Sequence, residues 1–169
     1  PSAPARMATM AAAASAAPRL GRRRAAGMCA NGWAYEYRLT PTIVEVVGTG
    51  ASLTATSISV NGNVQAEGAS SVAIAGRSMI GGSVQIVQGG GASVRGARIN
   101  GDILFDENRG AIETVGNFVG GSLQVFQNTG GVRLVRNTMK GNLQCKENTP
   151  APTGNGNVSP SKEDQCARL

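Results

Sequence analysis

Three carboxylates near the middle of the chain are the side chains best suited to catalysis. Asp102, Asp106 and Glu107 lie close together in the sequence. Paired carboxylates can act as general acid and base on a glycosidic bond, or can hold Ca²⁺ against an acidic sugar. The matching positions on either side carry no second layer of acids, which favours solvated surface acids near Arg98 and Arg109 over a polysaccharide-cleaving site. The three acids therefore form a weak candidate site.

Other catalytic and ligand-binding chemistries lack their residues. The sequence has no histidine, which excludes Ser-His and Cys-His catalysis and histidine-ligated metals. It has no Cys-x-x-Cys motif for zinc or dithiol chemistry, and no glycine run is followed by the Gly-Lys-Ser/Thr of a phosphate loop. The Gly-Gly-x-Gly-x-Asp pattern of calcium-binding β-rolls is also missing. We therefore expect no enzyme, no cofactor and no metal.

The candidate acids lie inside a repeat that would have to position them. Segments of the form Gly-polar-apolar-Gln recur at intervals of 20, 19, 20 and 20 residues, measured between their apolar anchors. The anchors are Val64, Val84, Ile103, Leu123 and Leu143. A period this regular indicates a repeat architecture.

Further apolar columns run in phase with the anchors. One consists of Val60, Ile80, Ile99, Val119 and Met139. Another contains alternating pairs such as Val72 with Ile74 and Val132 with Leu134. Alternation of apolar and polar residues is typical of short strands with one buried face. The pattern predicts an all-β fold, a single-stranded parallel β-helix with about 20 residues and three short strands per coil and five to six coils. We expect it to be right-handed, because such coils lack the strict hexapeptide register of left-handed ones.

Aligned small and polar residues mark the expected corners. The glycine column is Gly62, Gly82, Gly101, Gly121 and Gly141, and it predicts corners that need either positive φ or a close backbone approach. A second column is Asn108, Asn128 and Asn148. Asparagine tolerates the left-handed conformation, and stacked amides can bond from coil to coil. The outward column Gln65, Gln85, Gln124 and Gln144 is interpreted as a solvated amide ladder, with a substrate groove as the alternative.

Composition divides the chain into three segments. Residues 1–41 read as a disordered or targeting-like segment with an aromatic cap at Trp33, Tyr35 and Tyr37, for which a sugar-binding platform is the alternative. Residues 42–148 form the solenoid, and the Pro- and Gly-containing residues 149–169 form a C-terminal capping loop.

The net charge of +6 is concentrated at the start of the chain. Residues 1–40 contain six arginines and one acid, for a charge of +5, which leaves +1 for residues 41–169. A near-neutral solenoid predicts no nucleic-acid partner. The apolar run from Met7 to Ala17 is too short to cross a bilayer, so we expect no transmembrane segment.

The cysteines suggest a staple at the C-terminal end. Cys145 occupies an inward position in the last coil, and Cys166 follows 21 residues later in a segment free to fold back. A disulfide between them would close the end of the solenoid, and two unrelated reduced thiols are the alternative. Cys29 has no partner in this scheme and is free or pairs between chains.

The C-terminal residues carry a resemblance to a known group. Gly-Gly-Ser-Leu-Gln-Val-Phe-Gln-Asn-Thr-Gly-Gly-Val at 120–132, Gly-Asn-Leu-Gln-Cys-Lys-Glu-Asn-Thr-Pro-Ala-Pro-Thr-Gly at 141–154 and Lys-Glu-Asp-Gln-Cys at 162–166 resemble uncharacterised secreted bacterial proteins with parallel β-helix repeats. The resemblance covers about residues 42–169. It implies export and the disulfide between Cys145 and Cys166, but no activity.

These observations favour a non-enzymatic exported protein, a structural or binding module at the cell surface or outside the cell. The sequence does not identify its partner, and a cell-surface glycan or protein is the candidate. One alternative is a self-assembling structural polymer, because Gly-x-hydrophobic repeats also resemble bactofilins, which associate end to end. A polysaccharide lyase or hydrolase is the other alternative, and it depends on Asp102, Asp106 and Glu107 alone.

Overall fold

The computed structural model describes residues 43–169, and the strands in this range form three parallel sheets. The first sheet contains β1 (Ile43–Val47), β4 (Asn63–Glu67), β7 (Val84–Val87), β10 (Ile103–Asp106), β13 (Leu123–Phe126), β16 (Leu143–Lys146) and β18 (Lys162–Asp164). The second contains β2 (Ser52–Thr56), β5 (Ser71–Ala75), β8 (Gly91–Arg95), β11 (Ile112–Val115), β14 (Val132–Val135) and β17 (Thr153–Asn155). The third contains β3 (Ser59–Val60), β6 (Met79–Ile80), β9 (Arg98–Ile99), β12 (Phe118–Val119) and β15 (Thr138–Met139). Each coil passes through the three sheets in turn.

Strand pairing follows the sequence period. Val84 pairs with Val64 on one side and with Ile103 on the other, and Leu123 pairs with Ile103 and Leu143. Every strand thus lies beside its counterpart one repeat away, as in a parallel β-solenoid of about six turns. The predicted all-β fold with three short strands per coil is confirmed.

The core is a narrow column of aliphatic side chains. Inward residues alternate with outward ones along each strand, so the anchors of the first sheet are buried, from Val64 to Leu143. Phe105 is the one aromatic side chain in the buried core of the described residues. A cross-section lined by Val, Ile and Leu explains why the chain needs so few aromatic residues.

The C-terminal segment continues the solenoid, so its prediction as an irregular capping loop at 149–169 is wrong. Strand β17 pairs with β14, Val158 forms a bridge with Thr138, and β18 pairs with β16. Each sheet gains one more element. Proline and glycine are tolerated at a sheet edge, because an edge strand leaves half of its backbone groups unpaired. Composition that suggests a loop in sequence is therefore compatible with a last coil.

At the other end the solenoid begins with the coil that contains β1 and β2. Strand β1 pairs with β4, so that Val44 lies beside Val64. The predictions for residues 1–41, including the aromatic cap and the fate of Cys29, lie outside the described residues. The part of the chain that the structure describes contains no helix able to cross a membrane.

Candidate functional site

The three candidate acids are separated by strand β10. Asp102 immediately precedes the strand, Asp106 ends it and Glu107 follows. Four residues of extended chain place Asp102 about 13 Å from Asp106 along the strand. Glycosidases hold their two carboxyl groups roughly 5 to 9.5 Å apart. Asp102 is therefore not paired with the other two acids.

Asp102 instead belongs to a structural ladder at the corner between the third and first sheets. The backbone N–H of Ser122 donates to Asp102 Oδ1 at 2.7 Å, and the backbone N–H of Asp102 donates to Ser83 Oγ at 3.0 Å. The same bond joins each coil to the next through Asn63, Ser83, Asp102, Ser122 and Asn142. Serine and asparagine side chains accept the same backbone hydrogen bond in neighbouring coils, so this bond does not require the negative charge of Asp102.

Asp106 has a partly buried carboxyl group whose pKa is raised. Its Oδ1 is buried and has no hydrogen-bond partner among the described residues. In the sheet register Asp106 lies between Val87 and Phe126. Burial beside these apolar neighbours raises the pKa of the Asp106 carboxyl, the negative charge of Glu107 raises it further, and a hydrogen bond from the Glu107 backbone acts in the opposite direction. A raised pKa is a property of many catalytic acids, but structural positions produce it too.

Glu107 has a neighbour of its own, one coil away. It adopts φ 53° at the turn that follows β10, and Gln88 Nε2 donates to its carboxylate at 3.0 Å. Two coils further on, Gln127 Nε2 makes the same bond to Glu147 at 2.9 Å. Glu107 thus takes part in an exposed Gln–Glu ladder along this turn. It also lines an open, shallow depression with Glu67 and Arg109.

The described residues hold no cluster of metal ligands. Between residues 43 and 169 no three Cys, Asp or Glu side chains come together as metal ligands. Of the three acids predicted as a site, Asp102 accepts a backbone hydrogen bond at a corner. Asp106 and Glu107 are adjacent at the end of β10, on an open face.

The predicted asparagine ladder is buried and bonds through its amides. Asn108, Asn128 and Asn148 lie in the interior at the turn between the first and second sheets. The backbone N–H and Nδ2 of Asn128 both donate to Asn148 Oδ1, at 3.1 and 3.0 Å. None of the three adopts positive φ; the left-handed residue is the one before it, such as Gln127 at 52°. The expectation that asparagine was selected for a left-handed bend is therefore wrong, and the amide bonds explain the column.

A second asparagine ladder was not predicted. Asn117, Asn137 and Asn157 are buried at the turn between the second and third sheets. Asn137 Nδ2 donates to Asn157 Oδ1 at 3.0 Å and to the carbonyl oxygen of Thr114 at 3.1 Å. The signal was present in the sequence, because these asparagines are also 20 residues apart.

The predicted glycine column is explained by close approach and not by positive φ. None of its members has positive φ. A Cβ on Gly141 would lie 2.8 Å from the carbonyl carbon of Gly121 in the preceding coil. The first of the two expected reasons, positive φ, is therefore wrong at this corner.

Side chains also connect the coils on the outer surface. Gln65 Nε2 donates to Gln85 Oε1 at 3.0 Å, and Gln124 Nε2 donates to Gln144 Oε1 at 2.9 Å. Leu104 pairs with Gln85 and Gln124 in the register, so it occupies the equivalent position between them and interrupts the column. These amides bond to one another along the sheet, which is the geometry of an amide ladder.

A disulfide joins the last two coils. The Cα atoms of Cys145 and Cys166 are 5.3 Å apart, and both residues are fully buried. Cys145 extends inward from β16, and Cys166 lies in the turn after β18. The bond closes the apolar interior at the C-terminal end.

These features define the class of protein: a parallel β-solenoid stabilised by internal amide ladders and closed by a disulfide. No family model, curated protein or solved structure matches this sequence.

Proposed function

We propose that this chain is a non-enzymatic, exported β-solenoid that acts as a structural or binding module at the cell surface or outside the cell. The observation that carries the proposal is the buried disulfide between Cys145 and Cys166. Disulfides form and persist mainly in oxidising compartments. A staple at the end of the solenoid is useful to a protein that must persist outside the cytosol.

The placement of the acids supports a role without catalysis. Asp102 accepts a backbone hydrogen bond, and Glu107 accepts one from Gln88. In the sheet register Asp106 lies between Val87 and Phe126 and not beside another acid. The residues that could have formed a lyase or hydrolase site are thus part of the framework or lie on an open face.

Cysteine mapping tests export directly. Protein recovered from its native compartment without reductant is alkylated under denaturing conditions and digested, and the cysteine-containing peptides are identified by mass spectrometry. We expect Cys145 and Cys166 to be recovered as a linked pair. Recovery of both as alkylated free thiols would overturn the proposal.

A second assay addresses the lyase or hydrolase alternative. The full chain and the triple variant Asp102→Asn, Asp106→Asn, Glu107→Gln are incubated with neutral and acidic polysaccharides, and new reducing ends and unsaturated products are measured. We expect no turnover by either protein. Turnover that disappears in the triple variant would establish the enzyme in place of the module.

The C-terminal edge supports the module over an end-to-end polymer. The last strand of the first sheet, β18, consists of Lys162, Glu163 and Asp164, and charged edge strands discourage further pairing. Sedimentation and negative-stain microscopy of the full chain, with and without reductant, separate the two ideas. Monodisperse particles are expected, and filaments would favour the bactofilin-like alternative.

A further inference from the structure

The charged side chains of the solenoid are segregated around its axis. We define the basic side as the second and third sheets with the turns that follow their strands. It carries six exposed cations: Arg77, Arg95, Arg98, Arg133, Arg136 and Lys140. Its anions among the described residues are Asp102 and Glu113, so the formal charge of this side is +4.

The first sheet and the turns that follow its strands have the opposite sign. Their anions are Glu45, Glu67, Asp106, Glu107, Glu147, Glu163 and Asp164. Against these seven acids stand Arg109, Lys146, Lys162 and Arg168, which gives a formal charge of −3. The near-neutral total of the solenoid therefore conceals two sides of opposite charge.

The cations of the basic side are positioned by the fold. Arg98 stacks over the ring of Phe118, with its guanidinium carbon 4.6 Å from the ring centroid. Arg77 and Arg136 both lie at the turn between the second and third sheets, with φ of 52°. Their strands are three coil steps apart, which at the spacing of paired strands is about 14 Å along the axis. Two cations thus lie at this turn three coil steps apart, with Gly96 and Gly116 at the equivalent positions between them.

One of the two acids on the basic side is already neutralised. Glu113 forms ion pairs with Arg95 and Arg133, which lie in the coils before and after it. Both arginine side chains remain more than half exposed, at 54% and 56%. The triad therefore contributes net positive charge and leaves free guanidinium donors. Arg77, Arg98 and Arg136 have no acid beside them in the described ion pairs.

We propose that the basic side binds an anionic polysaccharide, one whose repeating sugars carry carboxylate or sulfate groups. Five of its six cations are arginine, whose planar fork of donors suits carboxylate and sulfate oxygens better than a point charge does. Repeated cations along a rigid axis match repeated anions along a linear polymer. The inference rests on the proposed export, because it assigns the binding partner of that module.

The surface suits a glycan better than a single-stranded nucleic acid. Proteins that bind single strands stack bases on exposed aromatic rings. On the basic side of residues 43–169 the aromatic residue is Phe118, and Arg98 already covers its ring. The charge is therefore combined with guanidinium donors and not with a stacking platform.

A charge-matched pair of variants tests the assignment. Arg98→Gln with Arg136→Gln removes two cations from the basic side, and Arg109→Gln with Lys146→Gln removes two from the opposite side. Glutamine already occupies positive φ at Gln88 and Gln127, so the change at Arg136 is compatible with its backbone. Binding of the full chain to alginate and to dextran sulfate is measured from about 50 to about 200 mM NaCl. Neutral dextran is the polymer control, and thermal melts verify that each variant is folded.

We expect the wild-type chain to bind both anionic polymers, more weakly as salt rises, and not to bind neutral dextran. The variant of Arg98 and Arg136 should bind about tenfold more weakly or worse, and the variant of Arg109 and Lys146 should change affinity by less than about twofold. Equal losses in the two variants, or no binding by the folded wild type, would overturn the proposal. Tighter binding to a DNA oligonucleotide of equal charge would replace the glycan with nucleic acid. Salt-sensitive self-association without polymer, abolished by the first variant, would replace it with a second copy of the chain.

Failure here is distinguishable from failure of the proposed function. If the folded protein binds no polyanion while Cys145 and Cys166 are linked in the native compartment, only the binding partner is wrong. If both cysteines are free there, export itself is wrong.

Discussion

Replacing Asn128 with alanine tests whether buried amides hold the coils of this solenoid together. Asn128 is fully buried. Its Nδ2 donates to the carbonyl oxygen of Phe105 at 3.1 Å and to Asn148 Oδ1 at 3.0 Å. Its Oδ1 accepts the backbone N–H and the Nδ2 of Asn108, both at 3.0 Å. One side chain therefore bonds to the coil before it and to the coil after it.

The expected cost follows from the groups left without partners. Alanine at position 128 would orphan the backbone N–H of Asn108 and one of the N–H groups of its side chain, both in the interior. Each buried donor without a partner costs about 1–3 kcal/mol. The Oδ1 of Asn148 retains the backbone N–H of residue 128, and Asn108 Nδ2 retains the carbonyl of Ile86. We therefore expect a loss of about 2–6 kcal/mol in the free energy of unfolding.

The control is an amide of the outer ladder. Gln124 donates to Gln144 at 2.9 Å but is only partly buried, so Gln124→Ala should cost about 1 kcal/mol or less. Guanidinium unfolding of the two variants and the wild type, followed by circular dichroism, measures both changes. At about 2–4 °C per kcal/mol, Asn128→Ala should also lower Tm by roughly 10 °C. Equal losses for the two variants would show that water replaces the buried amide, and the reasoning would fail.

Three further predictions concern corners, staple and charge. Gly120→Ala should lower the free energy of unfolding by about 2–3 kcal/mol, because a Cβ there would overlap the backbone of the preceding coil. Gly116→Asn should cost about 1 kcal/mol or less, because Gly116 has φ of 64° and open space around it. Equal guanidinium midpoints for the two variants would contradict this prediction. Reduction of the bond between Cys145 and Cys166 should lower the free energy of unfolding by about 3 kcal/mol, measured as the guanidinium midpoint with and without reductant, and an unchanged midpoint after complete reduction would refute it. Asp106→Asn should stabilise the protein at about pH 7 and have little effect at about pH 3.5. Because the pKa of Asp106 is raised in the folded state, the stability that its protonated carboxyl contributes is present below the unfolded-state pKa and is lost as the pH rises through the folded-state pKa. A variant less stable than wild type at about pH 7 would contradict this, because it would show that the charged carboxylate stabilises the fold.

The fold could be predicted from the sequence because its apolar core residues recur at a fixed interval along the chain. Anchors such as Val84, Ile103 and Leu123 occupy equivalent inward positions in successive coils, and the structure pairs them directly. A shift of one residue would turn every anchor outward, so the apolar period alone determines the register. The same logic located the sheets, although it carries no information about activity.

The last coil was not accessible in this way. Lys162 occupies the position that Leu143 holds in the coil before it, so the apolar pattern ends while the backbone pairing continues. An end coil has solvent on one side and does not need an apolar anchor. The sequence also could not show why glycine occupies a given corner, because close backbone approach and positive φ both favour glycine. The sequence could list Gly141 but could not show that its neighbour is the backbone of Gly121.

The candidate acids illustrate a limit of reading distance from sequence. Asp102, Asp106 and Glu107 are close along the chain, but an extended strand separates the first from the others by about 13 Å. In a solenoid the nearest neighbours of a residue are those one period away, so Asp102 interacts with Ser83 and Ser122. Chemistry should therefore be sought down columns and not along short stretches of sequence.

The same rule applies to charge. Summed along residues 41–169, the charge is +1, and this value predicted no nucleic-acid partner. Each coil passes every side of the solenoid once, so the field at the surface depends on the columns of that side. Opposed sheets lie about 10 Å apart, and their side chains extend further. The Debye length at physiological salt is about 8 Å, which means that a polymer along the basic side is largely screened from the acids opposite. The polymer therefore interacts mainly with the cations of the basic side, which include Arg77 and Arg136. The near-neutral charge of the whole solenoid does not cancel their attraction.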